Sequence, residues 1–276
     1  MGRRRTKALA IVEGVRTDAF LMECLAKACG MDMDVYPVGG NVYAIYQYLK
    51  REGFDANVKD VAAELSHDSR DKAVLQNDFA DTFLVFDCDP HHTDNREDAK
   101  AEQMGILIRN LNRVREMAEH FNDSTDPTKG KLFVNYPMVE SFRDCDDFFD
   151  SAYEKTSVAI DQIASYKQRV SARKLCRLHP NAFTQEQFES LCRMNVFKLA
   201  SVNGWGFQGI GYPRFLDASE PASVAAVEAE ISLSTGLMPV LNTSLFLPLD
   251  YFGNKDGYYD RVVNGAVGKE DDPPKI

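Results

Sequence analysis

The stretch "TFLVFDCD", residues 82–89, runs four apolar residues, Phe83 to Phe86, straight into two aspartates two positions apart. A short unbroken apolar run reads as a strand covered on both faces, the kind a parallel sheet requires. Asp87 and Asp89 then fall at its carboxyl end, the edge where open α/β sheets gather ligand-binding side chains. A second such run, "ALAIVEG" (residues 8–14), delivers Glu13 to the same kind of position. If the two strands are neighbours, Glu13, Asp87 and Asp89 converge, and that crowding is unfavourable unless a proton or a cation neutralises it. Hard oxygen donors favour Mg²⁺ or Mn²⁺, which leave coordination positions for water and a substrate phosphate.

Strand and helix patterns alternate around these two runs. "TDAFLMECLAKACG" (17–30) reads as a helix capped by Thr17, with Asp18 in the positive first turn and Gly30 as its stop. "DVYPVGG" (34–40) is a short strand that Pro37 confines to a sheet edge, with Gly39-Gly40 as a turn, and "NVYAIYQYLKREG" (41–53) a second helix. Residues 54–81 are a polar insertion with a small helix around Val58, Val61 and Leu65. Met104, Leu107, Leu111, Val114, Ala118 and Phe121 recur at spacings of three and four, the mark of an amphipathic helix. The loop "NDSTDPTKG" then leads to a further strand, "KLFVNYP" (131–137). Strands separated by helices imply parallel pairing and an α/β sandwich, here over residues 1–150. From 151 to 276 the pattern is mostly helical: "SVAIDQIASYKQRVSARKLCRL" (157–178) reads as helix, and Thr184 with Gln187 forms a capping box for the next one. "PVLNTSLFLPLDYF" (239–252) supplies a helix end or a late strand, and the tail "KEDDPPKI" frays.

Composition narrows the classes. A chain of 276 residues at 44% hydrophobic buries a sizeable core, and its longest apolar runs fall short of the roughly 20 residues that span a bilayer. A soluble, cytoplasmic protein is expected, since the six cysteines include no C-x-x-C pair and suit a reduced compartment. The cysteines and histidines also lack zinc-ligand spacing. "MGRRRT" fits the myristoylation pattern at Gly2 and Thr6 only as a short motif. A formal net charge of −10 confines any nucleic-acid contact to local patches. Arg169, Arg173 and Arg177, with Lys174, form such a patch if their segment is helical, and a solvated helix face is the plainer alternative. Arg3, Arg4, Arg5 and Lys7 lie at the opposite end of the first strand from the carboxylates. In "NGWGFQGIGYP" (203–213), Trp205, Phe207 and Tyr212 could stack on bases or pack as a structural loop.

"IVEGVRTDAF" (11–20) followed by "FLVFDCD" (83–89) resembles the TOPRIM domain of topoisomerases, DnaG-type primases and OLD-family nucleases, over roughly residues 7 to 140. Its closest flavour looks like the small OLD-like or RloB-type proteins of bacterial anti-phage defence, through "VEGVRTDAF" (12–20) and "NYPMVESF" (135–142). The resemblance implies a TOPRIM-like sheet and a Mg²⁺- or Mn²⁺-dependent nuclease. It implies catalytic roles for Glu13, Asp87, Asp89 and Glu140, and metal ligation by Glu13, Asp18, Asp87 and Asp89. No ATPase motif, primase-like zinc ribbon or topoisomerase tyrosine domain is recognisable, so hydrolysis outranks strand passage or primer synthesis. The partners implied are a nucleic-acid substrate and a separate ATPase or sensor chain, within a homo-oligomer or larger complex and away from membranes. A HAD phosphatase shares the D-x-D motif but wants Thr or Val where His91 stands, and it leaves Glu13-Gly14 unexplained. A non-catalytic adaptor has no need of crowded carboxylates. His91 and His92, with Asp94, lie where a substrate or proton donor could pass, or are ordinary loop residues.

Overall fold

The computed structural model describes residues 7–66, 72–94, 102–126, 128–205 and 210–265. Its centre is a five-stranded sheet in the order β2-β1-β3-β5-β4. These strands are β1 (Ala8–Val12), β2 (Met33–Pro37), β3 (Asp81–Asp87), β4 (Asn122–Asp123) and β5 (Gly130–Asn135). The first three and β5 run parallel, and only the two-residue β4 is antiparallel. The expected α/β class is therefore the observed one, and Pro37 sits on an edge strand as a residue without an N–H must. The expected loop after residue 121 instead supplies β4, which is too short to carry a strand pattern.

All five residues of β1 are buried, as are Phe83 to Phe86 of β3. Both strands are covered on each face, which explains why they read as continuous apolar runs rather than alternating ones. Helices α1 (Thr17–Cys29), α2 (Val42–Arg51) and α5 (Gln103–His120) follow the strands much as their periodicities predict. Gly30 takes the left-handed conformation that closes α1, at φ 73°. The polar insertion holds α3 (Val58–Leu65) and a short α4 (Lys72–Leu75) that its composition hides.

The chain leaves β1 toward β2 on one side and continues through β3 on the other. The order 2-1-3 thus puts a topological switch point between β1 and β3, where loops diverge and leave a crevice. Val12 lies opposite Val85 and Asp87 opposite Asn135, so Glu13, Asp87 and Asn135 emerge at one end of the sheet.

The C-terminal region departs most from expectation. Residues 157–178 are not one helix: they divide into β6 (Ser157–Ala159), 3₁₀ turns and a short α6 (Tyr166–Ser171). Pairing of β6 with β7 (Leu237–Pro239) overrides the helical pattern of the sequence. Helix α7 (Gln185–Val202) has the expected Thr184/Gln187 capping box. It packs on α1, while α9 (Pro221–Thr235) packs on α5, so a single apolar core runs through both halves of the chain. Helices α8 (Tyr212–Ser219), α10 (Leu247–Phe252) and α11 (Tyr258–Asn264) complete the covering. Among the described residues no helix is long and apolar enough to cross a membrane. All six cysteines are free. Gly2, Thr6, Arg3, Arg4, Arg5, Phe207 and the tail lie outside the described residues.

Candidate active site

Of the three carboxylates expected to converge, the structure brings Glu13 and Asp87 into contact. Directly beyond β1, the Glu13 N–H donates to the Val85 carbonyl at 3.1 Å, continuing the β1–β3 ladder by one rung. The Glu13 side chain crosses the crevice, where its Oε2 accepts the Asp87 N–H at 3.1 Å. Seventy-four positions of sequence are thereby closed at the switch point.

Asp18 joins them from the first turn of α1. An ideal Cβ placed on Gly14 would stand 2.3 Å from Asp18 Oδ2, so the carboxylate lies directly over the glycine. Glycine is needed here for space rather than for an unusual φ. Thr17 does not cap α1 as expected: Arg16 occupies the N-cap position without a side-chain cap, and the Ala19 N–H turns back to the Gly14 carbonyl. Because the atom in the way ends a movable side chain, Gly14→Ala is expected to displace Asp18 while leaving the fold intact. Affinity for any divalent ion held there, and any activity that depends on it, should fall about tenfold or more, with stability changed by less than about 1 kcal/mol. A melting point lowered in proportion to the lost activity would refute this account of the glycine.

Glu140 comes from the 3₁₀ turn Val139–Arg143 that follows β5, and it is buried. The C-terminal region holds this turn from behind. Asn242 Nδ2 donates to the Val139 carbonyl and to Ser141 Oγ, both at 2.9 Å, and the Ser244 N–H donates to Asn135 Oδ1. Asn195 Oδ1 accepts both the Asn242 N–H at 2.8 Å and the Tyr153 hydroxyl at 3.0 Å. The site is thus built jointly by the strand ends and the helical half.

The electrostatics are those of carboxylates starved of counterions. Burial, with Asp18 and Asp89 nearby, raises the Glu13 pKa to about 7 against the relief given by the Asp87 N–H. Burial and the Glu140 charge raise Asp18 to about 6. Asp87 is pushed well above the usual carboxylate range by burial and then by Asp18, Glu13 and Glu140, despite a hydrogen bond from the Val139 N–H. Among the described residues Lys167 opposes them: its Nζ lies 2.7 Å from Glu140 Oε1 and also feels Asp87 and Asp18. Lys167 has an otherwise exposed side chain and belongs to α6, in a segment whose sequence draws the eye to its arginines instead.

Asp18 Oδ1, Asp87 Oδ1 and Glu140 Oε2 are buried oxygens without a hydrogen-bond partner. Such orphans are expensive, and a hard divalent ion is the species that would use them. Among the described residues, no group of three acidic, His or Cys side chains is already gathered as a coordination shell. The donor set, oxygen only, is of the kind that suits Mg²⁺ or Mn²⁺. Asp89 stands at the rim, at φ 34°, with its N–H on the Pro137 carbonyl at 3.3 Å.

Other candidates are placed elsewhere. Arg169 and Arg173 do not form a helical stripe with Arg177, because α6 ends at Ser171. Arg169 binds buried Asp144 and the Ser157 carbonyl, while Arg173 Nε is 2.9 Å from Asp144 Oδ1. The Lys174 N–H donates to Asp146 Oδ1 at 2.9 Å. Asp144 lies four residues beyond Glu140, so these arginines brace the turn that carries it. His91 Nε2 donates to the Ile160 carbonyl at 2.6 Å, fixing its tautomer. His92 stacks on Tyr43 at 4.6 Å, and Asp94 is held by both guanidinium nitrogens of Arg113 at 2.8 and 3.0 Å. Trp205 lies 3.8 Å beneath the Arg214 guanidinium, and Tyr212 packs on Tyr259, a structural use of that loop. Lys7 pairs with Asp34 at 2.7 Å.

No family model, curated protein or solved structure matches the chain.

Proposed function

We propose that the chain is a TOPRIM-type, Mg²⁺- or Mn²⁺-dependent nuclease that hydrolyses phosphodiester bonds of DNA or RNA. The observation that carries this reading is the set of buried, partnerless oxygens on Asp18, Asp87 and Glu140, beside Glu13 at a sheet switch point. Asp18, Asp87 and Glu140 would hold the ion with Glu13, and Asp89 would complete its outer side. Such an ion would supply an activated water and charge stabilisation on the scissile phosphate when bound. Glu13, whose Oε2 reaches across the crevice to the Asp87 N–H, stands where it could hold the ion or accept a proton beside it. Lys167 stabilises Glu140 in the ion-free site and is free to turn toward a phosphate, since its side chain is exposed.

The E-G, D-x-D and N-x-P-x-x-E resemblance further supports a role as an effector of bacterial anti-phage defence, working with a separate ATPase or sensor chain. The test is incubation of purified protein with plasmid, single-stranded DNA and total RNA, with Mg²⁺, Mn²⁺ or a chelator. Cleavage is expected only with metal, and Glu13→Gln should slow it by about 10²-fold or more. Full cleavage in the chelator, or by Glu13→Gln, would reject the mechanism.

A further inference from the structure

Beside the carboxylates lies a cavity of about 520 Å³, lined among others by Val15, Arg16, Phe20, Phe142, Arg143 and His179. Its walls continue the active-site segments: one is the start of α1, immediately after Gly14, and the other is the 3₁₀ turn that bears Glu140. A second cavity of about 460 Å³ shares Phe20, Glu23 and Pro180 with the first and extends along α1 past Lys27. Through these shared residues the two adjoin as one trough along α1, whose near end is lined by Thr17 and Ala19, the neighbours of Asp18.

The trough has features that packing does not explain. Arg16 and Arg143 make no ion pair among the described residues. Arg143 Nε is buried without a hydrogen-bond partner, although its guanidinium lies 5.2 Å from the Phe142 ring centre. Several other arginines of this acidic chain meet an acceptor: Arg113 meets Asp94, Arg169 and Arg173 meet Asp144, Arg261 meets Glu189, and Arg193 meets the Val262 carbonyl. Two unspent arginines flanking one cavity mark a place for an anion supplied from outside. Opposite them, Phe20 and His179 meet edge to face with centroids 4.8 Å apart, an aromatic corner against which a flat ring can lie. Val15 is 67% exposed at the mouth, an apolar contact waiting for a partner. Glu23 repels phosphate farther in, so the anion belongs at the Arg16/Arg143 end and an uncharged ring beyond it.

Resting on the nuclease reading, we infer that this trough is the substrate track: it takes an unpaired nucleotide adjoining the scissile bond. The phosphate sits between Arg16 and Arg143, and the base lies against Phe20 and His179. A single strand is specified because a base stacked inside a duplex cannot present its face to such a corner. The volume suits a nucleotide-sized group.

The experiment measures anisotropy of labelled 12-mer oligonucleotides, single-stranded DNA, single-stranded RNA and duplex DNA, with Ca²⁺ added to permit binding without turnover. Arg16→Gln/Arg143→Gln and His179→Ala are compared with the unaltered chain, and Mn²⁺-induced thermal stabilisation is recorded for each. Single strands are expected to bind better than duplex. The double arginine variant should bind about tenfold or more weakly, with the salt-dependence slope reduced by about one per arginine. His179→Ala should weaken single-strand binding severalfold without changing that slope. Unchanged Mn²⁺ stabilisation in these variants would show the metal centre intact. Equal affinity of the double variant, a preference for duplex, or no oligonucleotide binding by a chain that still responds to Mn²⁺ would overturn the track and spare the metal site. Absence of both Mn²⁺ stabilisation and binding would instead overturn the nuclease reading itself.

Discussion

Between pH 5 and pH 8 the metal-free protein is expected to lose stability, and millimolar Mg²⁺ or Mn²⁺ to restore it. The sign is opposite to that of a carboxylate held in a salt bridge. Glu13 is raised from 4.5 to about 7 and Asp18 from 3.8 to about 6, so across this window the folded chain holds protons that the unfolded chain has released. Stability therefore falls as pH rises: the contribution is complete below the unfolded values and gone above the folded ones. Taken alone, Glu13 is worth roughly 3 kcal/mol and Asp18 about the same, but they repel one another and titrate together, so the two do not add. For a chain of this size about 3 kcal/mol corresponds to a drop of roughly 6–12 °C in melting temperature.

A divalent ion reverses the balance, because it replaces protons as the neutralising charge and binds better as they leave. At a hundredfold excess over its dissociation constant it returns about 2.7 kcal/mol. Melting curves at pH 5, 6, 7 and 8, in chelator and in Mn²⁺, decide the matter. The two curves should coincide near pH 5 and separate progressively toward pH 8. A melting temperature that climbs with pH in chelator, or is indifferent to the ion at pH 8, would mean that the carboxylates are neither crowded nor ligands.

The sheet was legible because its inner strands are buried on both faces, which leaves unbroken apolar runs in Ala8–Val12 and Phe83–Phe86. The ends of those runs located Glu13 and Asp87 without any knowledge of pairing. Its position in the helix accounts for Asp18 by the dipole alone, and only the resemblance named it as a ligand, since its place above Gly14 depends on the turn between β1 and α1. The C-terminal half was less legible for a different reason. Ser157–Ala159 is a strand only because Leu237–Pro239 pairs with it from 80 residues away, and no local pattern reports such a partner. That misreading carried the arginine stripe with it, and Lys167 escaped notice because its importance lies in a contact with Glu140 rather than in any spacing. The trough beside α1 was equally hidden, as His179 and Arg143 reach it from separate segments.

Asp87→Asn separates a functional carboxylate from a structural one, because the two readings predict opposite changes in stability. The Asp87 carboxyl is set among Asp18, Glu13 and Glu140, and its buried Oδ1 lacks a partner. Asparagine keeps the volume, leaves the backbone N–H on Glu13 Oε2 untouched and can still accept from the Val139 N–H. What it removes is one charge, or the proton that hides it, from a site that repels charge. The metal-free variant should therefore be more stable at pH 8, by about 1–2 kcal/mol, as when buried charges give way to neutral groups of the same shape. Its pH dependence should flatten on the alkaline side, since asparagine removes the carboxyl that Asp18, Glu13 and Glu140 hold well above the usual range. At the same time the Mn²⁺ stabilisation should disappear and metal-dependent cleavage should drop by about 10³-fold, the loss expected when a ligand to the catalytic ion goes. A gain of stability joined to a loss of activity is the signature of a site strained for function. If Asp87→Asn instead melts lower in chelator than the unaltered chain, Asp87 is holding the fold together, and its place at the strand end has a structural cause.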